Sequence, residues 1–224
     1  MTDHVKPDEV AESPVVLVVD DEPTVCSSVR RLLRAVGYRV QTFSGVGRLL
    51  PLERPGGPCC LVLHVQMPGA SGLEVKRSLE QSGVRIPIIF ITGFGSIPMG
   101  IQAMKDGAMD FLTKPFDEAD LLAAVARALD ADARLLKHEG ELAVLRRRFD
   151  SLTAREQEVC IAVSDGMLNK QVGAQFGISE KTIKVHRARV MEKMGAESLA
   201  DLVRMADVLR PDVEHVSFGG RVSA

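Results

Sequence analysis

The apolar run Cys60-Leu61-Val62-Leu63 ends on an imidazole, His64, and passes at once into the loop Val65-Gln66-Met67-Pro68-Gly69-Ala70-Ser71-Gly72. A short apolar run bounded by turn residues reads as a buried strand. In a doubly wound parallel sheet, the residue that closes such a strand points into the crevice outside the carboxyl ends of the strands, where ligands bind. His64 is therefore the first candidate functional residue. A second stretch with chemistry of its own is Glu180 to Met194, where five Lys or Arg stand against two Glu, a net +3 in a chain whose overall charge is −2. The four cysteines, Cys26, Cys59, Cys60 and Cys160, lack the spacing of a zinc site, because adjacent residues cannot chelate as a Cys-x-x-Cys pair does. Reduced, buried filler is the expectation for them, with a redox pair at Cys59-Cys60 as the alternative.

At 100° per residue, Ile183, Val190 and Met194 fall on one narrow stripe of a helix, with His186 and Arg187 at its edges. Lys181, Val185, Ala188, Arg189 and Glu192 occupy the far side and Lys184 the flank. Such a face suits a major groove: Arg or Lys reach guanine acceptors, Val meets a thymine methyl, and the remaining cations neutralise phosphates. A solvated charged face is the plainer reading. The elements before it favour DNA. Thr153-Ala154-Arg155-Glu156 is a capping box, Gly166 ends that helix, and Asn169 is expected to cap a helix running to Phe176. Gly177-Ile178-Ser179 makes a tight turn, Ser179 caps Glu180 to Met194, and Gly195 stops it. Ser198 then opens a fourth helix that ends by Pro211. Two short helices across a Gly-containing turn are a helix-turn-helix.

The elements that must position His64 lie upstream. Strand candidates are Val15–Asp20, Tyr38–Phe43, Cys59–His64, Ile86–Thr92 and Met109–Thr113, separated by four helical stretches, with a fifth from Phe116 onward. That is a complete doubly wound domain of ~115 residues. Leu121 to Arg148 reads as continuous helix. Its Leu135, His138, Leu142, Leu145, Phe149 and Leu152 keep the three-four spacing of a coiled-coil seam, equally compatible with a stripe packed on its own chain. Gly140 is the candidate hinge. The expected organisation is a disordered tail over 1–13, an α/β doubly wound five-stranded parallel sheet over 14–128, a helical linker over 129–149, an all-α four-helix helix-turn-helix domain over 150–209 and a tail over 210–224.

With 46% hydrophobic and 26% charged residues, the 224-residue chain can bury a sizeable core. No apolar run reaches the roughly 18 residues of a membrane span, and Met1 to Glu12 is too polar and acidic for a signal peptide. A cytoplasmic protein without membrane partners is expected.

Two families share these motifs. Ser151-Leu152-Thr153-Ala154-Arg155-Glu156, Gly166-Met167-Leu168-Asn169-Lys170 and Ile178-Ser179-Glu180-Lys181-Thr182-Ile183-Lys184-Val185-His186 resemble the LuxR/FixJ-type four-helix DNA-binding domain. Residues 15–125 resemble the flavodoxin-like receiver domain of two-component response regulators, and Ile91-Thr92-Gly93-Phe94-Gly95-Ser96-Ile97-Pro98-Met99 through Lys114-Pro115-Phe116 look FixJ-like in particular. The resemblance implies an acidic pair, Asp20 and Asp21, that holds Mg²⁺ together with the Gln66 backbone. It implies a phosphoryl-contacting hydroxyl at Thr92, its pairing cation at Lys114, a switch aromatic at Phe111 and a cis-prolyl turn at Lys114-Pro115. In the DNA-binding domain it places Lys184 and Val185 at base-reading positions, with Lys181, Thr182, His186, Arg187, Arg189 and Lys193 around them. The cation that relatives carry one turn on is Ala188 here.

The departure is His64, at the place of the phosphoacceptor aspartate. No acyl phosphate can form on an imidazole, and Mg²⁺ prefers oxygen ligands, so no cofactor is required and Mg²⁺ affinity should fall. Three consequences compete: an imidazolium paired with Asp20 or Asp21, a softer divalent ion held by the two acids and the ring, or a ring that accepts phosphate or is inert. The implied function is a DNA-binding transcriptional regulator, not an enzyme, whose receiver acts without aspartyl phosphorylation. Its implied partners are double-stranded DNA, a second copy joined through Ile97–Lys105, Met109–Thr113 and Asp117–Ala128 or through the linker, and a sensor histidine kinase or RNA polymerase. The alternative is a signalling adaptor whose receiver-like domain docks a protein and in which DNA binding is secondary. A metal-dependent phosphatase using Asp20 ranks below both.

Overall fold

The protein is described from a computed structural model, which covers residues 13–48, 54–93 and 97–213. The chain divides into two compact units, 1–136 and 137–224. In the first, β1 (Val15–Val19), β2 (Arg39–Phe43), β3 (Cys59–His64), β6 (Ile88–Thr92) and β7 (Asp110–Thr113) form one parallel sheet in the order β2-β1-β3-β6-β7. Helices α1 (Pro23–Ala35), α2 (Gly72–Gln81), α3 (Ile97–Lys105) and the start of α4 (Glu118–Asp150) cover it.

The three central strands are apolar without interruption because both of their faces are covered, and the alternation of side chains divides them between two cores. Leu17, Val19, Leu61, Leu63 and Phe90 pack with Val75 and Leu79 of α2 and Ala103 of α3. Val16, Val18, Cys60, Val62, Ile89 and Ile91 pack with Val29 and Leu33 of α1 and with Leu121, Ala124, Val125 and Ala128 of α4. All four cysteines are free and buried. Burial pushes the thiols of Cys59 and Cys160 up to about 11, and those of Cys26 and Cys60 upward too, so the nucleophilic thiolate is disfavoured.

Several boundaries differ from the sequence reading. β6 starts at Ile88 instead of Ile86, since Pro87 has no N–H for the ladder and contributes only its carbonyl, to Leu61 N at 2.9 Å. The segment after His64, read as loop, contains a two-residue antiparallel ribbon, β4 (Gln66–Met67) with β5 (Ala70–Ser71). Between β2 and β3, where a helix was expected, the described part is a 3-10 turn at Val46–Arg48, and residues 49–53 lie outside the described residues. So do the N-terminal tail up to residue 12 and the C-terminal tail from residue 214.

The continuous helix expected across the linker forms, and Gly140 lies inside it. α4 is one 33-residue helix that continues unbroken through Gly140, so the expected hinge is helical. Leu142, Leu145, Phe149 and Leu152 of the expected seam are spent on the core of the second unit, leaving Leu135 and His138 exposed. The stripe packs on its own chain over most of its length. Asp132 on the same helix is fully buried and accepts hydrogen bonds from Cys59 N and Arg54 Nη2, both at 2.7 Å.

The second unit continues with α5 (Ala154–Ser164), α6 (Asn169–Phe176), α7 (Glu180–Met194) and α8 (Leu199–Val213). The Thr153/Glu156 capping box forms as expected. Asn169, expected as a cap, is the first helical residue of α6; the helix is entered from Leu168, whose N–H donates to Gln171 Oε1 at 2.8 Å. α8 passes Pro211 and reaches Val213.

Candidate functional site

Four strand ends converge beside the β1/β3 switch point, where the connections leave the sheet in opposite directions and open a crevice. Asp20 follows β1 and is fully buried; its Oδ1 accepts from Glu22 N at 2.9 Å in a local turn that starts α1. His64 closes β3, pairs in register with Ile91, and is buried. Thr92 closes β6 and is fully buried. Lys114 follows β7, its N–H donating to Thr92 O at 2.6 Å, and the Lys114-Pro115 peptide is cis. α2 can start directly behind His64 because residue 72 is glycine: a Cβ there would lie 2.8 Å from His64 O.

Each acid has a basic partner. His64 Nδ1 lies 2.8 Å from Asp21 Oδ1 and 3.5 Å from Asp20 Oδ1. Lys114 Nζ donates to Asp20 Oδ2 at 2.8 Å and to Glu22 Oε1 at 3.2 Å. Burial works against the Lys114 ammonium, but its hydrogen bonds to Asp20 and Glu22 and their charges outweigh that and raise its pKa above the ordinary lysine value. Glu22 was missed in the sequence, although it extends the acidic pair to a run of three. Asp20, Asp21 and His64 each offer one ligand atom, and the three atoms lie within 4.8 Å of one another. Two carboxylates and an imidazole are a mixed donor set, unlike the all-oxygen shell that Mg²⁺ prefers. Gln66 sits two residues past His64, opening β4 with its side chain exposed. Phe111 is half-buried in the core, its ring against Gly100 of α3, where a Cβ would lie 3.2 Å from it.

On α7 the burial follows the stripe read from the sequence. Ile183, Val190 and Met194 are buried, His186 and Arg187 half-buried, and Lys181, Thr182, Lys184, Val185, Ala188 and Arg189 exposed. Ser179 Oγ accepts from Thr182 N at 3.1 Å and caps the helix. Gly177 ends α6 with φ +67°, and Gly173 lets the two helices close, since a Cβ there would lie 2.8 Å from Ile178 O. Two of the expected DNA contacts, Lys193 and Arg187, are otherwise engaged. Lys193 Nζ is bound to the buried Glu156 at 2.6 Å and to Ser151 O at 3.4 Å. Arg187 donates to Asn169 Oδ1 at 3.3 Å. His186 turns a buried Nδ1 inward, without a hydrogen-bond partner among the described residues. The Lys193 bond, then the Thr153 amide, hold the Glu156 carboxyl at about 2. Arg148 of α4, which the sequence reading passed over, donates to Met194 O at 2.9 Å and so caps the far end of α7.

The response regulator receiver domain family matches residues 16–126, and the family of bacterial regulatory proteins of the luxR type matches residues 150–206. Nodulation protein W of Bradyrhizobium diazoefficiens is 42% identical over 207 residues, covering 92% of this chain and 91% of its own. The chain belongs to the response-regulator family. This response regulator is also 40% identical over 195 residues to transcriptional regulatory protein FixJ of Azorhizobium caulinodans, covering 87% of this chain and 92% of that one. Among solved structures, response regulator StyR matches with a TM-score of 0.79 at 42% identity, over 87% of this chain and 98% of that one. The regulator is thus of the two-component, DNA-binding type, with the receiver and LuxR-type domains its motifs implied. No helix among its described residues is long and apolar enough to cross a membrane.

Proposed function

We propose that this response regulator controls transcription by contacting DNA through α7 and that its receiver domain works without aspartyl phosphorylation. The observation that carries the second part is His64 at the end of β3, hydrogen-bonded to Asp21 at 2.8 Å. An acyl phosphate needs a carboxylate at that corner, and Asp20 and Asp21 are each held by a base. The exposed Lys181, Lys184 and Arg189, with Thr182 and Val185 between them, support DNA recognition, with phosphate contacts positioning the helix and base contacts specifying sequence. Two copies presenting two α7 helices to adjacent half-sites is the geometry helix-turn-helix proteins use. RNA polymerase is then the partner for output, and a sensor kinase, if engaged, acts by docking instead of phosphoryl transfer. The adaptor reading gains no support, because a DNA-binding family matches residues 150–206.

The test incubates the full-length protein and His64→Asp with acetyl phosphate and Mg²⁺. Intact-mass labelling and oligomeric state are then measured. The unsubstituted protein should take up no phosphoryl group and keep its oligomeric state, whereas His64→Asp should be labelled once. Stoichiometric labelling of the unsubstituted receiver domain would overturn the proposal.

A further inference from the structure

We infer that Asp20, Asp21 and His64 form a binding site for a borderline first-row divalent cation of the Zn²⁺/Co²⁺ class, in preference to Mg²⁺. The inference rests on the reading that His64 has displaced an oxygen ligand, and takes it further by naming what the altered pocket selects.

Neighbouring donors around an ion with bonds of about 2.0–2.2 Å are separated by about 2.8–3.1 Å in an octahedral shell and about 3.3–3.6 Å in a tetrahedral one. The two separations from His64 Nδ1, 2.8 Å and 3.5 Å, fall within those values. An ion would enter by displacing the hydrogen shared between Asp21 and the ring, drawing together three ligand atoms that already lie within 4.8 Å of one another. The three donors stand at the ends of two adjacent parallel strands, Asp20 and Asp21 just after β1 and His64 closing β3, and the sheet fixes those ends. Lys114, on the other oxygen of Asp20, and the Glu22 amide, on Oδ1, orient that carboxylate from outside the ligand set, the support that metal carboxylates commonly receive. Asp21 is a third exposed while Asp20 is fully buried and His64 nearly so, leaving an approach for the ion and its waters from the Asp21 side.

The donor chemistry chooses the ion. Mg²⁺ gains little from an imidazole and gives up its waters reluctantly. Imidazole suits zinc, iron, nickel and copper, and the affinity of a nitrogen-oxygen site rises from Mn²⁺ through Co²⁺ and Ni²⁺ to Cu²⁺ before falling back at Zn²⁺. Three protein ligands leave coordination positions to water.

The test uses untagged full-length protein and titrates Zn²⁺, Co²⁺ and Mg²⁺ separately by calorimetry, with Co²⁺ d–d absorption reporting nitrogen ligation. Zn²⁺ and Co²⁺ should bind one per chain, at least tenfold more tightly than Mg²⁺. His64→Gln should weaken Zn²⁺ at least tenfold, and His64→Asp should narrow or invert the Zn²⁺/Mg²⁺ preference, with thermal unfolding of the metal-free variants confirming that each is folded. Zn²⁺ no tighter than Mg²⁺, or Zn²⁺ binding indifferent to residue 64, would overturn the inference. Acetyl phosphate labelling decides the phosphorylation question separately, so an unlabelled protein that also binds no Zn²⁺ removes only the cation site.

Discussion

Replacing Lys184, Arg189 and Lys193 one at a time by Met tests the proposal that the first two contact DNA while the third holds the domain together. Lys184 and Arg189 lie on the exposed side of α7. The only ion pair Lys184 makes among the described residues is with Glu180 at 3.1 Å, and both side chains are largely exposed. Such a pair is worth at most about 1 kcal/mol, so a phosphate can take the ammonium at little cost. Lys193 is bound instead to Glu156, whose side chain is only 3% exposed, and releasing it would strand a buried carboxylate.

Removing one phosphate-binding cation lowers the slope of log affinity against log salt by about 0.9, which between 50 and 200 mM salt amounts to a factor of about 3.5 in the drop in affinity. This term is independent of sequence, so fluorescence anisotropy on an arbitrary labelled duplex measures it without the operator. Lys184→Met and Arg189→Met should each flatten the slope by about 0.9 per bound subunit and leave thermal stability unchanged. Lys193→Met should lower the melting temperature and leave the slope alone. A slope unchanged in the first two variants, or flattened as much by Lys193→Met, would refute this division of α7.

Three further outcomes follow from the packing. Glu156 is held at about 2 against an ordinary value of 4.5; a lowered folded pKa contributes stability that is full above the unfolded value and fades as pH falls from about 4.5 toward about 2. Glu156→Gln should therefore flatten the acid limb of the second domain's stability curve, followed by circular dichroism, while leaving it unchanged in shape above pH 6. Asp132→Ala strips buried Cys59 N and Arg54 of their shared acceptor; breaking a buried pair costs about 3–5 kcal/mol, and with Arg54 a quarter exposed we expect about 2–3 kcal/mol by urea denaturation. Gly173→Val places a branched side chain against Ile178 O, where even a Cβ would approach to 2.8 Å; DNA binding should be lost together with the α6–α7 amide pattern in NMR spectra, whereas Gly140→Ala, with nothing within 4 Å, should be neutral or slightly stabilising.

Much of the framework was legible in the sequence because it is written in local patterns. β1 and β3 are continuous apolar runs, as strands covered on both faces must be, and the caps at Thr153 and Ser179 depend on residues three positions away. The errors lie where a choice is settled by something distant. Leu142, Leu145 and Phe149 have the same spacing whether they meet a second copy or their own domain, and only the core around Val159 and Met194 decides it. Lys193 and Lys184 are equivalent as charges on a helix; Glu156, thirty-seven residues from Lys193, distinguishes them. The ribbon β4–β5 is too short for any periodicity to show.

The pocket repays the same attention to partners. A surplus of carboxylates has no satisfied resting state until a cation arrives, and binding then couples directly to conformation. Here Asp20 has Lys114 and Asp21 has His64, with Glu22 as a second acceptor for the lysine. These pairings link the ends of β1, β3 and β7 through side chains of the chain itself. A cation that enters must win the imidazole nitrogen from Asp21 before it gains anything. That requirement penalises a hard ion such as Mg²⁺ more than a nitrogen-seeking one, so the proposed loss of phosphoryl chemistry and the proposed choice of ion both turn on residue 64. His64→Asp should accordingly change both together, and a variant that regained phosphoryl uptake while keeping its preference for Zn²⁺ would break the link between them.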